Sequence, residues 1–193
     1  ELQTLKEAKC PDPVLKAEAE DISEDLKGLS KLIEDMWETM YAAEGVGLAA
    51  PQVGESIRMF ITDGTPFSEG EDGDKDCEGF KRVMINPVIF DHSDEESRME
   101  EGCLSIPGIR ESVVRPNDIT VEYYNESWEL IEERLKGVAA RIVQHEYDHL
   151  DGIMITDHIT AVKRRLLHGK LRDIGLGKIH VDYRMRLPKK KVR

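Results

Sequence analysis

Two histidines four residues apart, His145 and His149, constrain this chain more than any other feature of its sequence, because Glu146 lies between them. On an α-helix, residues at positions i and i+4 lie on the same face, so both imidazoles can bind one metal ion while the glutamate lies beside it. The fold must therefore present a helix with this face turned towards a metal. A pair of this kind also occurs by chance on helix surfaces, so its context has to be considered.

The sequence around the pair predicts a largely buried helix over residues 138–150. Val138, Ile142, Val143 and Leu150 are apolar, and Gly152 follows as a stop signal. Buried imidazoles without partners are costly, and ligation to a metal would give both rings a partner.

A catalytic zinc-type site usually takes three protein ligands, and the sequence after the histidines limits the choice of the third. Ile155 stands where a metzincin would carry its third histidine, and no glutamate follows Glu146 as a thermolysin-like site would require. Asp157 or Asp173 remains an open but weak choice.

Cys103 in the segment 100–108 is a better candidate for the third ligand. A thiolate binds zinc, iron, cobalt and nickel strongly, and the adjacent Gly102 would let the backbone approach the metal. The alternative, a buried free cysteine that acts as a small apolar side chain, is the commoner role of a lone cysteine.

A third segment, 45–54, is rich in small residues and contains Gln52. Such a loop allows a substrate backbone to lie against the protein backbone, and an amide side chain can donate a hydrogen bond to an oxyanion. The alternative is an ordinary turn between a helix and a strand. The spacing of its glycines does not match a nucleotide-binding loop.

Taken together, the segments 45–52, 101–105 and 144–149 resemble the three signature motifs of the peptide deformylases, in the order in which that family carries them. The resemblance extends from about Asp12 to about Arg172 and is weakest in the segment 63–79 and in the last twenty or so residues. It implies an enzyme that hydrolyses the formyl group from the N-terminal formyl-methionine of new polypeptides and releases formate.

The resemblance also implies a catalytic or metal-binding role for individual residues. Glu146 is expected to move the proton between water and the departing amine, and the Gln52 amide and the backbone N–H of Leu104 are expected to hold the oxyanion together with the metal. The implied metal ligands are Cys103, His145 and His149.

One divalent metal ion per chain is expected, and its identity is left open by the ligand set. The resemblance implies Fe²⁺ as the physiological ion, with Zn²⁺, Ni²⁺ or Co²⁺ as substitutes. A pocket for the methionine side chain is predicted beside the metal. Its expected walls are Val46, Leu104 and Ile142, with Gly47 close to the substrate backbone and Glu101 and Arg110 facing the peptide. For the three apolar walls, plain core packing is the alternative.

The charge distribution suggests a partner besides the substrate. Residues 163–193 hold 12 Lys or Arg and 2 Asp, a net charge of +10, which leaves −22 for the rest of a chain with formal charge −12. This basic segment could contact ribosomal RNA near the exit tunnel, or it could be an ordinary helix with a charged tail. The run 189–191 also matches part of a nuclear-import tract, which is weak evidence.

The remaining composition predicts one catalytic domain over residues 1–193, in the cytoplasm of a bacterium, with an organelle as the open alternative. Cys10, Cys77 and Cys103 are odd in number and scattered, which argues against disulfides. No apolar run is long enough for a membrane span and no secretory signal opens the chain, so no membrane partner is expected.

The periodicities predict an α+β fold, with short antiparallel β-sheets packed around the central metal-binding helix, an N-terminal helix and a C-terminal helix. The segment 63–79 is expected to be a mobile acidic loop, whose spacing does not fit a calcium site. The N-terminal helix is expected to follow Ser23 and to end near Gly45. Strands are predicted at 57–62, 83–90, 113–115, 119–124 and 128–133, with Pro87 marking an edge or irregularity. The last helix is predicted at 160–173.

Two other functions remain open from the residues alone. A peptidase that used the histidines and an aspartate would cleave internal peptide bonds and would retain its metal after Cys103→Ala. A noncatalytic zinc-stabilised interaction module would close its coordination shell with a fourth protein ligand and would lose stability on chelation.

Overall fold

Helices with one buried face hold the molecule together. The structure, a computed structural model, describes residues 4–183 and 185–186. In the first helix the apolar side chains Leu29, Ile33, Met36 and Met40 follow helical spacing and are all buried. The α-helices of the described residues are α1 (Leu29–Ala42), α2 (Gly137–Leu150) and α3 (Ala161–Gly175).

Three small sheets surround these helices within the described part of the chain. The largest is antiparallel, with strand order β2-β3-β4-β7-β8, while β5 and β6 form an antiparallel hairpin and β1 pairs with β9 in parallel. The strands are β1 (Glu7–Ala8), β2 (Gly47–Ala49), β3 (Met59–Asp63), β4 (Lys81–His92), β5 (Glu96–Gly102), β6 (Arg110–Pro116), β7 (Asp118–Tyr124), β8 (Leu130–Lys136) and β9 (Met185–Arg186).

Neighbouring segments fix both ends of helix α2. At its start, the Asp74 carboxylate accepts a hydrogen bond from the Val138 N–H at 3.1 Å and replaces the missing side-chain cap. Just beyond its end, Gly152 adopts a φ of 71°, and a Cβ atom there would lie 2.4 Å from the Lys16 carbonyl oxygen. Only glycine fits this stop, which sets where the helix ends relative to its histidines.

The predicted α+β class is confirmed, and the predicted strands all occur, several of them longer than expected. The irregularity expected at Pro87 is present, since the register between β4 and β7 shifts between Ile85 and Val88. Four strands of the described residues were not predicted: β1, β2 and β9, which are only two or three residues long, and the longer strand β5. Polar residues dominate β5 and its apolar side chain Met99 is exposed, so the segment lacks the apolar alternation that marks a strand.

The acidic segment 63–79 is attached to the core more firmly than its composition predicts. It contains two 3-10 helices, Thr65–Ser68 and Lys75–Cys77, and the Cys77 side chain is completely buried. Through Asp74 it also caps α2. The mobility expected for this segment stays a prediction, and buried Cys77 and the cap are tertiary anchors that its acidic composition does not reveal.

Helix α3 lies on the surface. Most of its side chains are exposed, and Leu166 retains 79% of its accessible surface. Among the described residues, no helix has both the length and the apolar character needed to cross a bilayer. The lysine run 189–191 lies outside the described residues.

Candidate metal centre and active site

Three potential ligands from two parts of the chain meet beside α2. Cys103 directly follows β5, and His145 and His149 lie one helical turn apart on α2. Their ligand atoms all lie within 4.8 Å of one another, and the Cys103 Sγ is 3.5 Å from the His149 Nε2. One thiolate and two imidazoles form a donor set that suits a divalent transition metal.

Gln52 approaches the same cluster from the 3-10 helix Ala50–Val53, which follows β2. Its side-chain oxygen accepts a hydrogen bond from the Ala49 N–H at 2.9 Å, which turns the amide nitrogen towards the cluster. That nitrogen donates to the Cys103 Sγ at 3.6 Å and to the Ser105 hydroxyl at 3.2 Å. The amide N–H groups of this side chain are thus held at the edge of the candidate site.

Glu101 is bound behind His145 rather than directed towards solvent. Arg115 binds its carboxylate with two nitrogens, at 2.7 and 2.9 Å, and Arg141 donates to it at 2.6 Å. The His145 Nδ1 lies 2.9 Å from the same carboxylate. A carboxylate that binds one ring nitrogen fixes the ring and directs the other nitrogen towards the remaining candidate ligands.

The charge state of Glu101 follows from these partners. Burial by itself disfavours its charged form, but the hydrogen bonds from His145 and Arg115 outweigh burial and hold the pKa of Glu101 well below its usual range. Glu101 therefore remains an anion that accepts hydrogen bonds. This fixed role was not expected from the sequence, which predicted a residue facing the peptide.

The two histidines differ in their surroundings. His149 is almost completely buried, and burial together with the charge at His145 lowers the pKa of His149 well below its ordinary value. Its ring is therefore neutral, which is the form that binds metals. Its Nε2 faces Cys103, and its Nδ1 is buried without a hydrogen-bond partner among the described residues.

Glu146 lies against the backbone of the small-residue loop. A Cβ atom added to Gly47 would lie 2.4 Å from the Glu146 Oε1, so this carboxylate fits only because residue 47 is glycine. The Oε2 is buried and has no hydrogen-bond partner among the described residues. Burial raises the pKa of Glu146 to about 7, which suits a group that gains and loses a proton near neutral pH.

Gln52, Glu101, Cys103, His145 and Glu146 line one pocket with a volume of about 710 Å³. It is large enough for several residues of an extended peptide. Leu104 and Gln52 of the predicted catalytic set also line it. So do all five residues predicted to contact the substrate, namely Val46, Gly47, Glu101, Arg110 and Ile142.

The sequence did not reveal several residues that support the centre. Arg115 and Arg141 were not singled out, although an arginine four residues before His145 on a buried helix was a signal that a carboxylate lay nearby. Ser105, whose hydroxyl accepts from Gln52, lies within the segment 101–105, but nothing in the sequence assigned it a role of its own. Lys9 and Tyr183, which both donate to the Leu104 carbonyl, carried no sequence signal.

Comparison with known proteins identifies the family. Residues 5–165 match the family model described as polypeptide deformylase. A peptide deformylase of Christiangramia forsetii is 50% identical over 184 residues, which cover 93% of this chain and 94% of the relative.

Solved structures agree with this match. The peptide deformylase of Thermotoga maritima is 41% identical, with a TM-score of 0.71 over 81% of this chain and 98% of that one. The peptide deformylase of Ehrlichia chaffeensis is 33% identical, with a TM-score of 0.80 over 91% of this chain and 98% of that one. By sequence, fold and family model, this chain belongs to the peptide deformylase family, metal-dependent hydrolases that remove the N-terminal formyl group from nascent polypeptides.

Proposed function

We propose that the formyl group is hydrolysed in the pocket beside α2, by Glu146, Gln52 and the backbone N–H of Leu104 around a metal held by Cys103, His145 and His149. The observation that carries this proposal is the convergence of three ligand atoms within 4.8 Å of one another next to a buried carboxylate. The ligands have no fourth protein partner in the metal-binding cluster of the described residues, which leaves room for substrate.

The residues fit the implied metal. Cys103, His145 and His149 present soft and borderline donors, and Glu101 supports one ring from behind. When bound, a divalent ion supplies a Lewis acid that lowers the pKa of a coordinated water to about 7. We propose Fe²⁺ as the physiological ion, with Zn²⁺, Ni²⁺ or Co²⁺ able to replace it, because the donor set accommodates all four.

Glu146 acts as the proton carrier. Its free Oε2 can accept a proton from the attacking water and deliver it to the amine nitrogen that leaves. A pKa of about 7 lets the same carboxylate perform both transfers at neutral pH. Its contact with the Gly47 backbone holds it at a fixed position beside the cluster.

Gln52 and Leu104 stabilise the negative charge that develops on the formyl oxygen. The Gln52 amide is oriented by the Ala49 N–H, and Leu104 lies next to Cys103 in the pocket wall. Preoriented donors of this kind contribute about 3 kcal/mol each to transition-state stabilisation.

The substrate side chain enters between Val46, Leu104 and Ile142, while the peptide backbone lies along Gly47. Arg110 faces the same pocket and can contact the peptide. Glu101 borders this space, but its bonds to Arg115 and His145 make support of the metal ligand its principal role.

The direct test is formate release from a formyl-methionyl tripeptide by anaerobically purified protein loaded with iron or nickel, beside the acetyl-methionyl analogue. We expect release from the formyl peptide alone. Release from neither substrate, with metal content confirmed, would contradict the proposed site. Cleavage of internal peptide bonds would instead favour the peptidase alternative.

A ribosome contact through the basic C-terminal segment forms the second part of the proposal. Within the described residues, α3 presents an exposed positive face next to exposed Leu166, and a polyanionic RNA surface is the complementary partner. Exposed basic residues of α3 are Lys163, Arg164, Arg165, Lys170 and Arg172.

Cosedimentation with ribosomes over a range of salt concentrations tests this contact. The pair Arg165→Gln and Lys170→Gln should weaken binding and lower its salt dependence, while the matched pair Lys27→Gln and Lys136→Gln should not. Equal binding by both pairs would remove α3 from the proposal.

The same substrate chemistry supports two broader assignments. Because nascent formylated polypeptides are made at the ribosome, we propose that the chain acts in the bacterial cytoplasm, with an organelle as the alternative compartment. We further propose that residues 1–193 act as one catalytic domain, since the pocket combines residues from Glu44 to Tyr183.

A further inference from the structure

Lys9 has an unusual position for a lysine, because its side chain is completely buried. Its ammonium group donates to the Leu104 carbonyl oxygen at 2.6 Å and lies 3.4 Å from the carboxylate of Glu7, which is buried as well. Burying such a pair costs free energy that the pair itself rarely returns in full. A specific role for the contact with Leu104 would explain why the chain carries it.

A second donor, distant in sequence, reaches the same carbonyl. The Tyr183 hydroxyl donates to the Leu104 oxygen at 3.0 Å, and the Lys9 ammonium lies 4.2 Å from the centre of the Tyr183 ring. Tyr183 also lines the candidate active-site pocket. The parallel pairing of β1 with β9 brings these two chain segments together.

The fixed carbonyl belongs to a run of three fixed peptide groups. The Cys103 carbonyl, which shares its peptide plane with the Leu104 N–H, accepts from the Ile106 N–H at 3.0 Å. The Ser105 carbonyl accepts from the Cys10 N–H at 3.1 Å. With Lys9 and Tyr183 on the carbonyl between them, the planes on both sides of the Leu104 Cα are held, so the direction of its N–H is set.

We infer that Lys9 and Tyr183 are positioning residues that orient the Leu104 N–H towards the oxyanion, with Glu7 as the side-chain hydrogen-bond partner of Lys9. This inference rests on the proposed function, in which that N–H is an oxyanion donor. Donors stabilise a transition state most when they need no reorientation during the reaction. Lys9 and Tyr183 thereby contribute to turnover without contacting the reacting atoms.

The test compares three variants with wild-type protein by kcat, KM, metal content and hydrogen exchange at the Leu104 amide. Lys9→Met removes the ammonium, Glu7→Gln with Lys9→Met also removes the uncompensated carboxylate, and Tyr183→Phe removes only the hydroxyl. Tyr41→Phe is the matched control, since the Tyr41 hydroxyl bonds Asp63 on an exposed surface.

We expect kcat to fall roughly tenfold in the Lys9 variants, and by less in Tyr183→Phe, with KM and metal content unchanged. Exchange at the Leu104 amide should become faster in the same order, while Tyr41→Phe should match wild type. Unchanged kcat and unchanged exchange in folded Tyr183→Phe and in the double variant would overturn the inference. In that case the contacts would serve stability alone.

Failure of this inference can be distinguished from failure of the proposed function. If wild-type protein with confirmed metal releases no formate, the proposed function fails, and the exchange measurement still reports whether Lys9 and Tyr183 hold the Leu104 peptide. If wild-type protein is active and the variants are as active as the control, only the positioning role is lost.

Discussion

At the scale of single residues, the chemistry depends on the second contact that each functional group makes. Gln52 donates towards the cluster because its oxygen is occupied by the Ala49 N–H. His145 directs one nitrogen to the cluster because Glu101 holds the other. Glu146 differs from both, because one of its oxygens is buried without any partner among the described residues. That oxygen is available for proton transfer.

Replacing Glu146 by Gln tests this directly. The amide keeps the shape of the carboxylate but cannot accept the proton, so we expect metal content to stay and kcat to fall by about two to four orders of magnitude. Elemental analysis and formate release measure the two quantities. Glu132→Gln, on the exposed face of β8, serves as the control. Normal turnover in Glu146→Gln would remove the acid-base assignment.

A methyl group at Gly47 should damage the site without unfolding the protein. The Cβ of Gly47→Ala would lie 2.4 Å from the Glu146 carboxylate and would displace it. We expect kcat to fall at least roughly tenfold, with a small change in melting temperature. Gly169→Ala in α3, where a Cβ meets nothing within 4 Å, should leave activity intact. Equal activity of both variants would show that Glu146 has room to move.

At the scale of secondary-structure elements, the sequence predicts what has a clear period and misses what tertiary contacts decide. Helix α2 was predicted almost to the residue because its apolar positions repeat every three to four residues. Strand β5 was not, because polar residues dominate it and two arginines from other elements neutralise Glu101. The candidate ligand histidines could therefore be identified from the local sequence, whereas the charge network behind them depends on contacts between β5, β6 and α2.

Arg141 joins those elements and should influence the metal. It donates from α2 to Glu101, to the Ser97 carbonyl of β5 and to the Val113 carbonyl of β6. In Arg141→Met, Arg115 still binds Glu101, but the carboxylate loses one anchor. We expect metal affinity to fall roughly tenfold, measured by competition with a chelator for Co²⁺ or Ni²⁺. Arg134→Met, which removes an exposed pair with Asp118, should leave that affinity unchanged.

At the scale of the whole molecule, the pairing of β1 with β9 brings a buried carboxyl group and a buried lysine close to the candidate active-site pocket. Strand β1 carries Glu7 and precedes Lys9, and its partner β9 follows Tyr183. Burial raises the pKa of Glu7 to about 7, although the charge of Lys9 opposes this. The pairing of β1 with β9 could not be predicted from the sequence, since a two-residue strand has no period to detect.

The raised pKa makes stability depend on pH in a defined direction. Because folded Glu7 holds its proton up to about pH 7 and unfolded Glu7 releases it near 4.5, its contribution to stability is lost as pH rises through that window. As the pH rises from 4.5 to about 7, the unfolding free energy of Glu7→Gln should therefore increase by up to roughly 3 kcal/mol relative to that of wild type. Urea titrations at pH 5 and pH 7.5 measure the difference. A difference independent of pH would contradict the assigned pKa.

Because the three cysteines differ in burial, thiol labelling can measure the fraction of molecules whose candidate metal site holds no metal. Cys10 and Cys77 are buried, and burial raises the pKa of both thiols, that of Cys77 to about 11. Cys103 is only partly buried and borders the pocket. A chromogenic thiol reagent added to native, metal-depleted protein should therefore label about one sulfur per chain rapidly, and stoichiometric Zn²⁺ should suppress that burst. The amplitude of the fast phase then reads the fraction of unloaded molecules in any preparation, without a substrate.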